Sequence, residues 1–233
     1  MGTSKALLEW HGSPLVVRVA RLLGRVAATV VVVSAPGRQL PQIPGVLTTA
    51  DAAPDRGPLE GIAAGLRALE GRCDVAFVAG TDHPLLHPAF VLEVVDAIAG
   101  ADAAVPHADG MPHPLTAAYR VHLLQRAEQL LNSGERRATA LVEAVDARLL
   151  DSAGLVHGES LWNVNTPQEY EQLLRQGEPL VRVGGTGFEA STVGRLLDQL
   201  PGLPAGAALM LDGERVDEDA DMPLAQGDEL TVT

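Results

Sequence analysis

The chain has 233 residues, 46% of them hydrophobic and 20% charged, which is enough to bury a large core and too apolar for a disordered polymer. Its formal net charge of −13 excludes a broad basic surface for nucleic acid or anionic membrane. The longest apolar run, around residues 26–33, falls far short of the ~20 that a membrane helix needs, and with no signal-peptide layout the sequence reads as cytoplasmic.

Leu15, Val16, Val19, Ala20, Leu22 and Leu23 recur at helical spacing after Pro14, with Arg18 and Arg21 between them, and predict a first helix. Residues 29–33 are a β-branched run closed by Ser34-Ala35-Pro36-Gly37, the pattern of a strand buried on both faces. A helix over 59–69 follows Gly57-Pro58. A second apolar strand over 75–79 stops at Gly80-Thr81-Asp82-His83-Pro84. Then come a helix over 88–98, short strands over 103–105 and 115–119, and helices over 123–131 and 139–145. Strands alternating with amphipathic helices predict a three-layer, Rossmann-like α/β domain with a mainly parallel sheet. Ligands of such sheets bind beyond the carboxyl ends of the strands, so Ser34, Asp51 and Asp82, each following a strand, are expected at one edge.

After residue 176 the pattern changes. Gly177-Glu178-Pro179 reads as a linker, followed by a strand over 180–183, a helix capped by Ser191, a strand over 208–211, the hairpin turn Asp212-Gly213 and a last strand over 229–233. The expected organisation is therefore a domain over 1–176 and a small α+β unit over 180–233.

Lys5 is the only lysine, the rest of the 17 basic residues being arginine. A compact ammonium fits between phosphate oxygens where a guanidinium fork does not, although a stray surface lysine has the same composition. Gly57-Pro58-Leu59-Glu60-Gly61 lets backbone N–H groups approach a planar ligand, and it is equally a helix entry with proline in the first turn. Asp82 at a strand end suits a Mg²⁺ ligand or a turn-forming cap. Asn163 and Asn165 alternate along an extended segment and can face one ligand, or initiate the helix after Thr166-Pro167. No helical HxxxH pattern joins His83, His87, His107, His113 and His122, and no G-x-S-x-G elbow is present. Cys73 is the only cysteine, excluding an internal disulfide, and its apolar neighbours predict a buried thiol.

In order, MGTSKALL, GPLEG, the Asp82 motif, HPLTAAY, GERR and NVNTPQEY resemble the molybdenum cofactor guanylyltransferases of the nucleotidyltransferase superfamily, over about residues 1–175. The resemblance implies a nucleotide-diphospho-sugar-transferase-like fold and transfer of GMP from GTP to molybdenum-molybdopterin, with Mg²⁺ as cofactor. By position it implies Lys5 on the triphosphate, Asp82 as the Mg²⁺ ligand, Ser34, Asp51, Gly57, Pro58 and Leu59 on the nucleotide, and Asn163 and Asn165 on the pterin. It further implies contacts with other molybdenum cofactor biosynthesis proteins or molybdoenzyme chaperones. A cytidylyltransferase of the same superfamily and a noncatalytic scaffold protein are the alternative readings. A sugar-1-phosphate nucleotidyltransferase is disfavoured because a second metal-binding aspartate is missing near Asn163 and Asn165.

Family members open with a strand and an LAGGxSxR loop ahead of the MG-x-x-K segment. This sequence begins inside that motif, so the expectation is a true start upstream, with Met1 internal. The hairpin Leu211-Asp212-Gly213-Glu214 and Gly227-Asp228-Glu229-Leu230 resemble the β-grasp, ubiquitin-like sulfur carriers, without the terminal Gly-Gly that those proteins thiolate.

Overall fold

The computed structural model describes residues 5–35, 37, 40–50, 57–200 and 202–233. Its main sheet runs in the order Val75–Ala79, Thr116–Arg120, Ala103–Ala108, with Ala147–Asp151 and the two-residue strand Met111–Pro112 also paired to Ala103–Ala108. Alternate residues face opposite sides, as the pleat requires. Ala103, Val105, Ala117 and Tyr119 pack under the helices Pro58–Leu69, Leu124–Asn132 and Ala138–Glu143. Ala104 and Ala118 pack against Phe90, Val91 and Val94 of the helix Pro88–Asp96. Helices on both faces make the three layers expected from the alternating pattern.

The mainly parallel sheet is corrected to a mixed one. Thr116–Arg120 pairs antiparallel with both Val75–Ala79 and Ala103–Ala108, and only Ala147–Asp151 joins Ala103–Ala108 in parallel. The cause is local: no helix separates Ala103–Ala108 from Thr116–Arg120, and so short a return can only reverse the strand. A second, parallel pair, Val30–Ser34 with Val46–Ala50, stands apart from this sheet. Val30–Ser34 and Val75–Ala79 each have one strand partner among the described residues. The helix Pro58–Leu69 packs across both sheets, with Val33 beneath Gly65.

The helix Leu15–Gly24 starts after Pro14, preceded by the hairpin Glu9–Trp10 and Ser13–Pro14, which the periodicity does not reveal. It buries Leu15, Val16, Val19, Ala20 and Leu22, and also Arg18. Cys73 is exposed rather than buried, because it sits in the turn before Val75–Ala79 and not on the strand itself.

Toward the C-terminus a five-stranded mixed sheet runs in the order Thr186–Glu189, Leu180–Val183, Glu229–Val232, Leu209–Leu211, Glu214–Arg215. Leu180–Val183 and Glu229–Val232, the first and last strands of this unit, lie side by side and parallel. The helix Val193–Leu197 covers one face, placing Val193 and Leu196 against Val181, Leu209, Leu211 and Leu230. Its cap is Thr192, which accepts the Arg195 N–H, while the expected cap Ser191 lies one residue ahead of that cap. Asp212 and Gly213 both have positive φ, 53° and 85°, the backbone of a two-residue hairpin turn.

Candidate functional site

Three sequence segments meet at one edge of the larger domain. Lys5 opens a short 3₁₀ turn, Lys5–Leu7, and its Nζ donates to Asn165 Oδ1 at 2.7 Å. The neighbouring Val164 is fully buried and donates its N–H to the carbonyl of Asp82 at 2.9 Å. Alternation along this extended stretch leaves Asn163 half-buried and Asn165 exposed on either side of it. Lys5, Asp82 and Asn165 are thus joined through one residue, although far apart in sequence.

The segment 163–165 is held from behind by the next helix, Pro167–Arg175. Thr166 and Glu169 form a reciprocal capping box, and Glu169 Oε2 accepts the N–H groups of Asn165 and Thr166, each at 2.7 Å. Those two N–H bonds, with the Thr166 hydroxyl and the nearby Lys5 charge, hold the Glu169 carboxyl below the usual carboxylate range. Thr166 thus initiates the helix, and the Asn165 amide beside it is exposed and bonded to Lys5.

Asp82 leaves the end of Val75–Ala79 through a tight turn. The Asp82 carboxylate folds back over Gly80, so that a Cβ there would displace Asp82 Oδ1 and approach His83 Cδ2 at 3.0 Å. The Asp82 side chain is 24% exposed, and its nearest opposite group is His83 Nε2 at 3.8 Å. His83 is itself buried, with Nε2 3.1 Å from Thr116 Oγ1 and Nδ1 3.1 Å from Ser160 O. Burial lowers the His83 pKa, against the pull of the Asp82 charge, and a neutral ring donating from Nδ1 then accepts from Thr116. Thr116 and Ser160, the partners of His83 beside the Asp82 turn, were not singled out in the sequence, where His83 figured only as one of five histidines without a metal-binding pattern; Thr116 lay within HPLTAAY, but its partner was not visible.

Gly57, Leu59 and Ser34 make other contacts. Gly57 has φ +74° and precedes Pro58, the first residue of Pro58–Leu69; a Cβ at Gly57 would come 2.8 Å from Arg136 O. Leu59 is fully buried in the core, and its N–H already donates to Arg136 O at 3.2 Å, so neither its side chain nor its N–H faces outward. This loop therefore packs on GERR, where Glu135 accepts from the N–H groups of Arg136 and Arg137 and from the Arg137 guanidinium, lowering its pKa to about 2. Among the described residues no hydrogen bond joins this loop to Lys5, Asp82 or Asn165. Ser34, in the separate parallel pair, donates to Thr49 O at 3.4 Å. Asp51 lies outside the described residues.

Among the described residues, no group of three or more His, Cys, Asp or Glu is arranged to hold a metal. What fits is a single carboxylate: Mg²⁺ takes one or two protein carboxylates and completes its shell with substrate phosphate and water, and Asp82 presents one partly exposed carboxylate at a strand end. An ammonium, a partly exposed carboxylate and an exposed amide on one segment are suited to orienting and neutralising a polyanion.

Residues 1–151 match the family of MobA-like NTP transferase domains. A Mycobacterium bovis protein named "Probable molybdenum cofactor guanylyltransferase" is 36% identical over 176 residues, covering 72% of this chain and 87% of that protein. A Deinococcus radiodurans protein with the same name is 33% identical over 185 residues, covering 78% and 91%. The fold is similar to that of the molybdopterin-guanine dinucleotide biosynthesis protein A from Archaeoglobus fulgidus, with TM-score 0.58, 21% identity and coverage of 74% of this chain and 89% of that one. It is equally similar to a 2-C-methyl-D-erythritol 4-phosphate cytidylyltransferase from Thermus thermophilus, with TM-score 0.58, 20% identity and coverage of 73% and 91%. The ordered motifs, the three-layer domain and these likenesses agree, and the chain belongs to the MobA-like NTP transferase family.

Proposed function

We propose that the chain transfers GMP from GTP to molybdenum-molybdopterin, forming the guanine dinucleotide cofactor and pyrophosphate. The observation that carries this reading is the convergence of Lys5, the Asp82 turn and Asn165 at one edge, in a chain whose curated relatives bear the guanylyltransferase name. The substrate's own phosphate is the nucleophile and is already anionic, so its oxygen attacks the α-phosphorus of GTP while the bond to pyrophosphate breaks, with no protein general base. Lys5 neutralises the triphosphate charge that builds on the leaving group. Asn165 holds the ammonium in place before substrate enters, and with Asn163 meets the pterin side. Ser34, Asp51 and the backbone around Gly57 and Pro58 serve the nucleotide side.

Asp82 would hold Mg²⁺, which supplies charge neutralisation at the phosphate oxygens. Gly80 leaves room for that carboxylate, and the bonds of His83 to Thr116 and Ser160 fix the ring beside it. The strand order of the C-terminal unit, with its first and last strands central and parallel, supports reading it as a β-grasp module appended to the transferase. Its partners would be other proteins of molybdenum cofactor synthesis or molybdoenzyme chaperones.

Incubation of the chain with molybdenum-molybdopterin, Mg²⁺ and either GTP or CTP tests the main reading. The expected result is guanine dinucleotide cofactor with GTP and little product with CTP. Equal or preferred use of CTP would replace it with a cytidylyltransferase, and turnover with neither would favour a scaffold.

A further inference from the structure

Arg18, Arg21 and Arg25 are spaced three and four apart on the first helix, Leu15–Gly24 and its cap, and share one face. The outer two end in ion pairs with the C-terminal unit: Arg21 with Asp219 at 3.2 Å, and Arg25 with Asp228 at 2.8 Å and Asp212 at 2.9 Å. Arg18 differs. It is 4% exposed, and among the described residues its guanidinium donates only to carbonyls: Pro84 O at 3.0 Å, Ser191 O at 3.3 Å and Leu224 O at 2.9 Å. Its guanidinium carbon also lies 4.6 Å from the centroid of the Trp10 ring. Burial lowers the Arg18 pKa to about 10, which still leaves it charged at neutral pH.

The position of these partners gives the arrangement its meaning. Pro84 closes the turn that begins at Gly80 and carries Asp82. Trp10 belongs to the hairpin directly after Lys5–Leu7, and Ser191 and Leu224 belong to the C-terminal unit. Trp10 and Leu15 pack in one buried cluster with Val164 and Leu173, and Leu85 packs against it, so the segment bearing Asn163 and Asn165 rests on the same layer. We infer that Arg18 is a positioning residue for the site: it fixes the Asp82 turn and the Lys5 hairpin from beneath and is anchored by the C-terminal unit, so docking of that unit sets the site's geometry. The catalytic consequence rests on the reaction proposed above, whereas the structural one stands on geometry alone.

The test uses the full chain carrying Arg18→Lys, which keeps the charge and stem but cannot span three carbonyls from one ammonium. Hydrogen exchange is read at the amides of Leu86 and Val164, which donate to His83 O and Asp82 O. Both are expected to exchange about fivefold faster than in the parent. The kcat for GMP transfer is expected to fall about tenfold while KM for GTP stays within about twofold. Arg25→Ala loosens the same docking without touching the Arg18 carbonyl set, and shifts the same amides in the same direction by less; if Arg18→Lys fails to fold, this variant carries the test. Parent-like exchange at Leu86 and Val164 overturns the inference, and so does faster exchange with kcat unchanged. A parent chain that transfers no GMP removes the proposed reaction instead, and the exchange measurement still decides the coupling.

Discussion

Two regions of the molecule use cations in opposite ways. At the seam between the larger domain and the C-terminal unit, the buried guanidinium groups of Arg18 and Arg25 each make three hydrogen bonds, to carbonyl and carboxylate oxygens respectively. At the candidate site, among the described residues, Lys5 has one amide partner and the nearest opposite group to the Asp82 carboxylate is 3.8 Å away. A planar fork suits fixed, multiple acceptors, and a point charge suits oxygens that arrive with a ligand. Multiply bonded groups hold the structure together, and sparsely bonded ones keep capacity for a ligand.

That contrast can be broken experimentally. On the proposed reading, Asp82→Asn keeps the size of the side chain but loses its charge, and should lower kcat for GMP transfer by about a thousandfold while thermal stability hardly changes. An unaltered kcat would remove Asp82 from the site. At the seam the effect should be on stability: Arg25→Ala leaves Asp228 buried without its ion-pair partner, and urea unfolding should show a loss of about 3 kcal/mol. A loss below about 0.5 kcal/mol would mean that the seam is held by apolar contacts instead.

The seam should also sense pH. His87 stacks on His157 with centroids 3.5 Å apart, and its Nδ1 accepts the Ala89 N–H as a helix cap, which requires an unprotonated nitrogen there. Burial, and then the neighbouring His157, lower its pKa from the ordinary value near 6.5. The unfolded chain therefore takes up the proton first, so the His87 contribution is fully present above about pH 6.5 and is lost as pH falls through the folded value. Urea midpoints measured between pH 7 and pH 5 should decline, and His87→Asn, which keeps a cap acceptor but does not titrate, should flatten that decline. Parallel curves would assign the effect to other groups. Cys73→Ser should change stability by less than about 0.5 kcal/mol, because the thiol is exposed in a turn.

Much of the larger domain is legible in the sequence because its apolar runs have lengths and periods that only one element satisfies. Residues 29–33 and 75–79 come out as Val30–Ser34 and Val75–Ala79, and the helix after Gly57 as Pro58–Leu69. The antiparallel insertion of Thr116–Arg120 is not legible, since strand order depends on long-range pairing that alternation does not encode. Arg18 is the instructive miss: a charged residue on an amphipathic helix looks solvent-facing until the surface that covers it is known. Of the candidates that the order of motifs offered, the fold brings Lys5, Asp82 and Asn165 together. Leu59 stood in an equally suggestive motif, yet its side chain went to the core because an apolar residue in the first turn of a helix packs inward.

The most direct test of the account is the kcat for GMP transfer by Lys5→Arg, with GTP, Mg²⁺ and molybdenum-molybdopterin. Charge is kept and only its shape changes, so the account predicts a fall of about a hundredfold or more. Turnover within a few-fold of the parent would contradict the claim that this chain's one lysine is there for its compact charge.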